Sequence, residues 1–390
     1  MMLSFDDTER AFAHKSNADL KKAYRLFQTF SFPWLVNYGP QIANWAMQIG
    51  LPIKPLIKRT IFNQFCGGES IIDSNHFARE LYKHKIGAIL DYSVEGEGSN
   101  EDFIQTFNEL KQVILAASEK NEYPFAVFKC SGIGSFSALA TKSSNEQFNP
   151  NQAIEYDNLV KRIHALCQLA FDQKVKLLVD AEETWIQDAI DEIVYFHMNL
   201  FNKQKVVVFN TIQLYRKGRI EEIERQIRIA REKGYKLGFK LVRGAYMEKE
   251  AERAFKMSYP NPIQESKEDT DSDYDHALRL CFDNRDIVSV MAGTHNENSS
   301  LLLAQLISEH GEDQADDRFW FAQLYGMSDH ISYNLAHAGY NVAKYLPYGP
   351  VKEVLPYLSR RAQENSSVKG QSGRELSLIS QEIKRRKMLK

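Results

Sequence analysis

Cysteine is scarce. The 390 residues hold only four, Cys66, Cys130, Cys167 and Cys281, none at paired spacing. A disulfide framework and a cysteine metal cluster are thereby excluded, and a reducing compartment is expected. Long apolar runs are missing as well; none reaches the roughly 18 residues that a spanning helix needs. Charge of one sign is absent in bulk, since 49 Lys and Arg against 51 Asp and Glu leave a net −2. Broad attraction to nucleic acid is therefore not expected. The start, M-M-L-S-F-D-D-T-E-R, is too acidic and polar for a signal or transit peptide. There is no short-period repeat and no low-complexity tract.

Hydrophobic residues make up 43% of the chain, enough for a large core. Residues 1–84 read as a helical region, with breaks at Pro33, Gly39-Pro40, Gly50-Leu51-Pro52 and Gly67-Gly68. Within it, Leu20, Ala23, Tyr24 and Phe27 form a helical stripe. Leu51–Phe65 mixes large apolar residues with Lys54, Lys58 and Arg59. It suits either a membrane surface or packing on the rest of the protein, and its small net charge favours packing.

From Ile86 the texture changes. Eight short runs rich in Val, Ile and Phe appear: 86–94, 125–130, 175–179, 205–210, 236–242, 287–292, 319–324 and 341–346. Amphipathic stretches separate them, at 101–119, 156–171, 185–200, 220–233, 272–282, 299–309 and 329–338. Eight strand–helix units predict a closed (β/α)₈ TIM-like barrel preceded by the N-terminal helical region. The runs end in polar or small residues, among them Glu95-Gly96, Lys129, Asp180, Gln213, Arg243-Gly244, Thr294-His295-Asn296, Gln323 and Tyr345. Strand ends of this kind meet on one catalytic rim in such a barrel. Residues 252–275 are polar and turn-rich and read as a long loop after the fifth strand. The domain reading is 1–84 helical region packing on the barrel, 85–370 barrel, and 371–390 basic tail. That tail, ending K-R-R-K-M-L-K, suits either anionic headgroups or a solvated, frayed end. The expected location is cytoplasmic, with the inner face of the cell membrane as a peripheral site.

The stretch 345–365 gathers the chemistry. A strand ends at Tyr345 and is followed by a turn, Pro347–Pro350. Then comes a helix on which Tyr357, Arg360, Arg361 and Glu364 share one face, at i, i+3, i+4 and i+7. Pro356 is placed within the first turn. Two adjacent guanidiniums can hold a small carboxylate. The competing reading is a solvated helix with an Arg360–Glu364 pair.

These residues resemble a known family. K-L-V-R-G-A-Y at 240–246 and Y-x-P-Y-G-P-V-x-E-V-L-P-Y-L-S-R-R-A-x-E-N-S-S at 345–367 look like proline dehydrogenase. F-K-C-S-G at 128–132, V-D-A-E-E at 179–183, T-I-Q-L-Y at 211–215, G-T-H-N at 293–296 and F-A-Q-L-Y-G-M at 321–327 follow in matching order. The resemblance covers about residues 86–370. It implies a barrel holding FAD, with L-proline oxidised to Δ1-pyrroline-5-carboxylate. It also implies a membrane quinone as electron acceptor and a separate pyrroline-5-carboxylate dehydrogenase downstream.

By the same resemblance Arg360, Arg361 and Lys129 bind the proline carboxylate, and Asp180 partners Lys129. Tyr345, Tyr357, Tyr246 and Leu324 enclose the ring. The flavin lies against Gln213, Lys240, Val242, Arg243, Gly244, Ala245, Tyr246 and Gln323. Thr294, His295 and Asn296 take its ribityl–phosphate or adenosine part. Glu364 pairs with Arg360 or touches the cofactor. Many bacterial members carry Arg at the position of Lys240 and Lys at that of Arg243, so the exchange here resembles the eukaryotic-like branch. Relatives that prefer hydroxyproline tend to lack a tyrosine at the position of Tyr345. Two further readings stay open: a Schiff base on Lys129, as in barrel lyases, and a non-catalytic regulator using the helical start and basic tail.

Overall fold

The computed structural model describes residues 3–92, 98–367 and 371–389. Eight parallel strands follow one another around a closed barrel in chain order. They are β1 Ile86–Tyr92, β2 Phe125–Lys129, β3 Lys176–Asp180 and β4 Val208–Gln213, then β5 Leu237–Val242, β6 Val288–Gly293, β7 Phe319–Leu324 and β8 Val342–Tyr348. The eight-unit barrel expected from the apolar runs is thus present. Parallel strands are covered on both faces, so they appear in sequence as near-continuous Val, Ile, Leu and Phe. The predicted end of the first strand and Glu95-Gly96 lie outside the described residues.

Two strands differ from the sequence reading. β4 begins three residues later than expected. The Asn202 side chain explains this, because its Oδ1 accepts the Val207 and Val208 N–H groups at 2.9 Å each. Its Nδ2 donates to the Val208 carbonyl at 2.8 Å, so 205–207 lead into the strand. β8 continues through Pro347 and Tyr348, both assigned beforehand to a turn. Pro347 has no N–H to offer, but its carbonyl accepts from Gly67 at 2.8 Å. The turn is confined to Gly349, at φ +145°, and Pro350.

The chain forms two compact units. Met1–Glu95 joins Gln323–Lys390 in one. Its core packs Phe12, Leu20, Phe27, Phe62 and Phe65 with Val354, Leu358, Ala362, Leu378 and Ile379. Burial of each large side chain contributes about 1.5–3 kcal/mol. Within 51–65, Ile57, Phe62 and Phe65 are buried, and Lys54 and Lys58 pair with Glu69. Pro33–Gln48 is one helix that runs through Gly39-Pro40. Its Trp34, Tyr38, Ile42 and Trp45, and Ile49 just past its end, are each more than half exposed. Residues 371–388 are not a frayed tail but a helix, with Leu378 and Ile379 buried. Arg386 fastens it by donating to the Phe12 and Lys15 carbonyls at 2.8 Å.

Gly96–Ala322 is the second unit. Its helices start where capping chemistry allows: Asn149, followed by Pro150, caps 150–173, and Ser99 closes a capping box on 100–119. The region read as a loop, 252–275, holds the end of one helix, Met247–Met257, and the start of another, Lys267–Asp283, with only 258–266 between them outside a helix. Ser266 accepts the Asp269 N–H at 3.0 Å and starts the second helix inside the acidic stretch.

Candidate active site

In the 96–322 unit the strand ends carry ionic side chains whose partners come from other strands and helices. Lys129 and Asp180 end β2 and β3 and are register neighbours. Asp180 accepts from Lys240 Nζ, a β5 side chain only 4% exposed. The sequence reading paired Asp180 with Lys129, its neighbour in register; it had no means of bringing Lys240, two strands away on β5, to the same carboxylate as well. A lysine this deep is tolerated because its charge is compensated.

Gln213 ends β4 and is buried. Its Nε2 donates to the Glu182 carbonyl and to the Tyr215 hydroxyl at 2.8 Å, and its Oε1 accepts from Arg216 at 3.0 Å. Val242 ends β5, and its carbonyl accepts Leu214 N–H at 2.9 Å. Arg243 turns to the helix Lys267–Asp283, bonding Asp271 and stacking 3.7 Å from the Tyr274 ring centre, and also bonds Ser299 of the following helix. Gly244 at φ +77° and Ala245 are exposed, and a side chain added at Gly244 would meet nothing within 4 Å. Tyr246 has φ +56°, uncommon for a bulky residue, and opens the next helix. Thr294 Oγ1 accepts Asn296 N–H at 3.0 Å, and Asn296 Oδ1 caps Ser299 at 3.1 Å. G-T-H-N therefore starts the helix Glu297–Glu309, with His295 half-buried beside it.

In the other unit, Gln323 is buried on β7 and accepts from the Ser332 hydroxyl at 2.8 Å. Leu324 ends that strand, half-buried. The Tyr345 carbonyl on β8 accepts Tyr325 N–H at 2.8 Å. Tyr357, Arg360, Arg361 and Glu364 lie on the helix Val351–Ser367. Pro356 is its sixth residue rather than part of its first turn. Both Pro356 and Lys352, whose carbonyl the missing N–H would have met, are exposed, so water can serve that carbonyl. Arg361 stacks on Tyr357 with 5.0 Å to the ring centre and donates to Glu364 Oε1 at 2.6 Å. Glu364 thus has Arg361 as a partner at i+3; the sequence reading had it pairing with Arg360 or touching the cofactor. Tyr357 Oη and Arg361 Nε are buried and have no hydrogen-bond partner among the described residues. Burial drives the Tyr357 phenol far above its ordinary value, so it is a neutral donor.

Sequence reasoning assigned no role to Glu182, although it stands in V-D-A-E-E. Glu182 is 3% exposed and accepts from Ser131 twice, at its N–H (3.0 Å) and at its hydroxyl. Burial pushes its carboxyl up to about 7, against the pull of the Ser131 bonds and Lys129. The K-x-S and D-x-E spacings at 129–131 and 180–182 were the available signal. The buried Lys344–Asp329 pair, 2.9 Å, was also missed; its Asp329 takes Lys15 at 3.2 Å and His14 at 3.5 Å.

A closed barrel of eight parallel strands in chain order defines the (β/α)₈-barrel class, whose sites form at the carboxyl ends of the strands. Residues 75–374 match the family model described as proline dehydrogenase. The chain belongs to the proline dehydrogenase family. It is 31% identical to "Proline dehydrogenase 1, mitochondrial" of Dictyostelium discoideum, over 97% of this chain and 74% of that protein. It is 41% identical to the protein of the same name from Caenorhabditis elegans, over 65% of this chain and 41% of that longer protein. Among solved structures, proline utilization A from Bdellovibrio bacteriovorus, inactivated by N-propargylglycine, superposes with a TM-score of 0.73. That match has 18% identity and covers 92% of this chain and 38% of that one, a likeness of fold. The expected cytoplasmic location at the inner face of the cell membrane is overturned, because both of these curated relatives are named mitochondrial. No helix among the described residues is long and apolar enough to cross a membrane.

Proposed function

We propose that this chain oxidises L-proline to Δ1-pyrroline-5-carboxylate with FAD, the first step of proline catabolism toward glutamate. One observation carries the reading beyond family membership: Tyr357 Oη and Arg361 Nε are buried donors with no partner among the described residues. An unmet buried donor costs about 1–3 kcal/mol. A bound carboxylate with its two oxygens supplies acceptors to such a cluster.

Arg360, Arg361 and Lys129 take the substrate carboxylate. Tyr345, Tyr357, Tyr246 and Leu324 give the pyrrolidine ring its apolar sides, and Tyr345 favours proline over hydroxyproline. The open backbone at Gly244–Ala245 fits the close approach of a planar ring system, which any side chain at Gly244 would obstruct. Gln213, Lys240, Val242, Arg243, Tyr246 and Gln323 surround the isoalloxazine. Thr294, His295 and Asn296 hold the phosphate or adenosine portion, with Glu364 beside the substrate arginines. FAD held by these residues would supply a hydride acceptor for the substrate ring carbon. The substrate amine must be neutral for that step, since its lone pair expels the hydride. Cationic side chains at 240 and 243 offset charge that grows on the ring system. Electrons then pass to a membrane quinone, and a separate pyrroline-5-carboxylate dehydrogenase consumes the product.

The test is anaerobic mixing of the purified yellow protein with L-proline. Bleaching of the flavin band supports the reading. A protein that stays colourless after FAD reconstitution, or whose flavin L-proline does not reduce, overturns it.

A further inference from the structure

Glu182 ties three strand ends together. Its carboxylate accepts the Ser131 N–H at 3.0 Å and the Ser131 hydroxyl. Its own N–H donates to Gln187 Oε1 at 2.7 Å, and its carbonyl accepts Gln213 Nε2 at 2.8 Å. Ser131 sits in the single turn Cys130–Gly132 directly after Lys129. Gln187 continues inward to Asp191 at 2.8 Å, which Asn210 of β4 also meets at 2.8 Å. All of Glu182, Gln187, Asp191, Asn210 and Gln213 are buried.

A carboxylate taken out of water is costly unless its oxygens are bonded. Here the bonds that satisfy it run to the residue two places beyond Lys129. A strand end released from such a clamp can shift by an ångström, and errors of that size weaken substrate contacts strongly. We propose that Glu182 is a positioning residue for substrate binding: through Ser131 it sets where Lys129 stands, and through its carbonyl it sets Gln213. This rests on the reading that Lys129 meets the proline carboxylate. Glu182 touches neither substrate nor cofactor in this role.

Four proteins decide the matter: wild type, Glu182→Ala, Glu182→Gln and Ser131→Ala, each measured for FAD content, melting temperature, and KM and kcat with L-proline. The expected result for Glu182→Ala is a KM raised about tenfold or more with kcat little changed. Glu182→Gln, which keeps an acceptor for Ser131 N–H, restores most of the loss. Ser131→Ala, the milder change, keeps the fold and shows a smaller rise in KM. A folded, FAD-loaded Ser131→Ala with wild-type KM, together with a Glu182→Ala that has wild-type KM or does not fold, overturns the proposal. Failure of the wild type itself to oxidise L-proline would strike the underlying reading instead, so the two failures are distinguishable.

Discussion

The Arg361 guanidinium lies 5.0 Å from the centre of the Tyr357 ring, one helical turn earlier on the same face. The stack pins the arginine while leaving its Nε and the phenolic hydroxyl without partners. Tyr357→Phe removes a buried, unmet hydroxyl. Its melting temperature should stay level or rise slightly, while the KM for proline rises. A clear loss of stability would show that the hydroxyl is satisfied.

Arg360 tests the substrate assignment more directly. Losing one charge-assisted, bidentate contact costs about 1.5–3 kcal/mol, or roughly 10–100-fold in kcat/KM. Arg360→Met should raise KM by such a factor with FAD still bound. An unchanged KM removes Arg360 from the substrate site.

Asp180 and Lys240 form a buried pair at 15% and 5% side-chain exposure. Removing one partner takes away part of the compensation of the other charge. Asp180→Ala should therefore destabilise, and the double change Asp180→Ala with Lys240→Met should recover part of the loss. Urea denaturation of the three variants reads this out. Additive losses would refute the coupling.

Glu182 gives the stability a pH dependence of definite sign. Its ordinary value is 4.5, and burial pushes it up to about 7 in the folded chain. Between those values the unfolded chain has released the proton and the folded chain still holds it. Stability is therefore lost as pH rises through that window and levels off above it. The loss is on the order of a few kcal/mol. Comparing wild type with Glu182→Gln from about pH 5 to pH 8 isolates this group. Parallel stability curves would rule it out.

Arg243 and Lys are not interchangeable at position 243. The guanidinium stacks 3.7 Å from the Tyr274 ring centre while bonding Asp271 and Ser299. Arg243→Lys loses the stack and the fork, worth about 1–2 kcal/mol, and should lower the melting temperature by a few degrees. An unchanged melting temperature would show the stack to be dispensable.

The eight strands were legible because a parallel barrel covers both faces of every strand, and that burial writes itself as short apolar runs. The start of Lys267–Asp283 was less legible than its end, read as amphipathic at 272–282, because charge count up to 275 argued for a loop. The Ser266–Asp269 capping pair, three residues apart, was the better local signal. For 371–388 the basic ending drew attention from Leu378 and Ile379, whose burial depends on the first helices of the chain.

Local order thus came from the residues themselves. The period of apolar positions, the capping pairs and the ordered motifs determined the barrel, the family and the arginine helix. Partnership came from the tertiary structure alone. It brought Lys240 to Asp180, Arg361 to Glu364, Arg243 to Asp271 and Ser131 to Glu182. Those choices depend on strand register and helix placement across dozens of residues, and a buried charge takes whichever opposite charge the packed chain brings within reach.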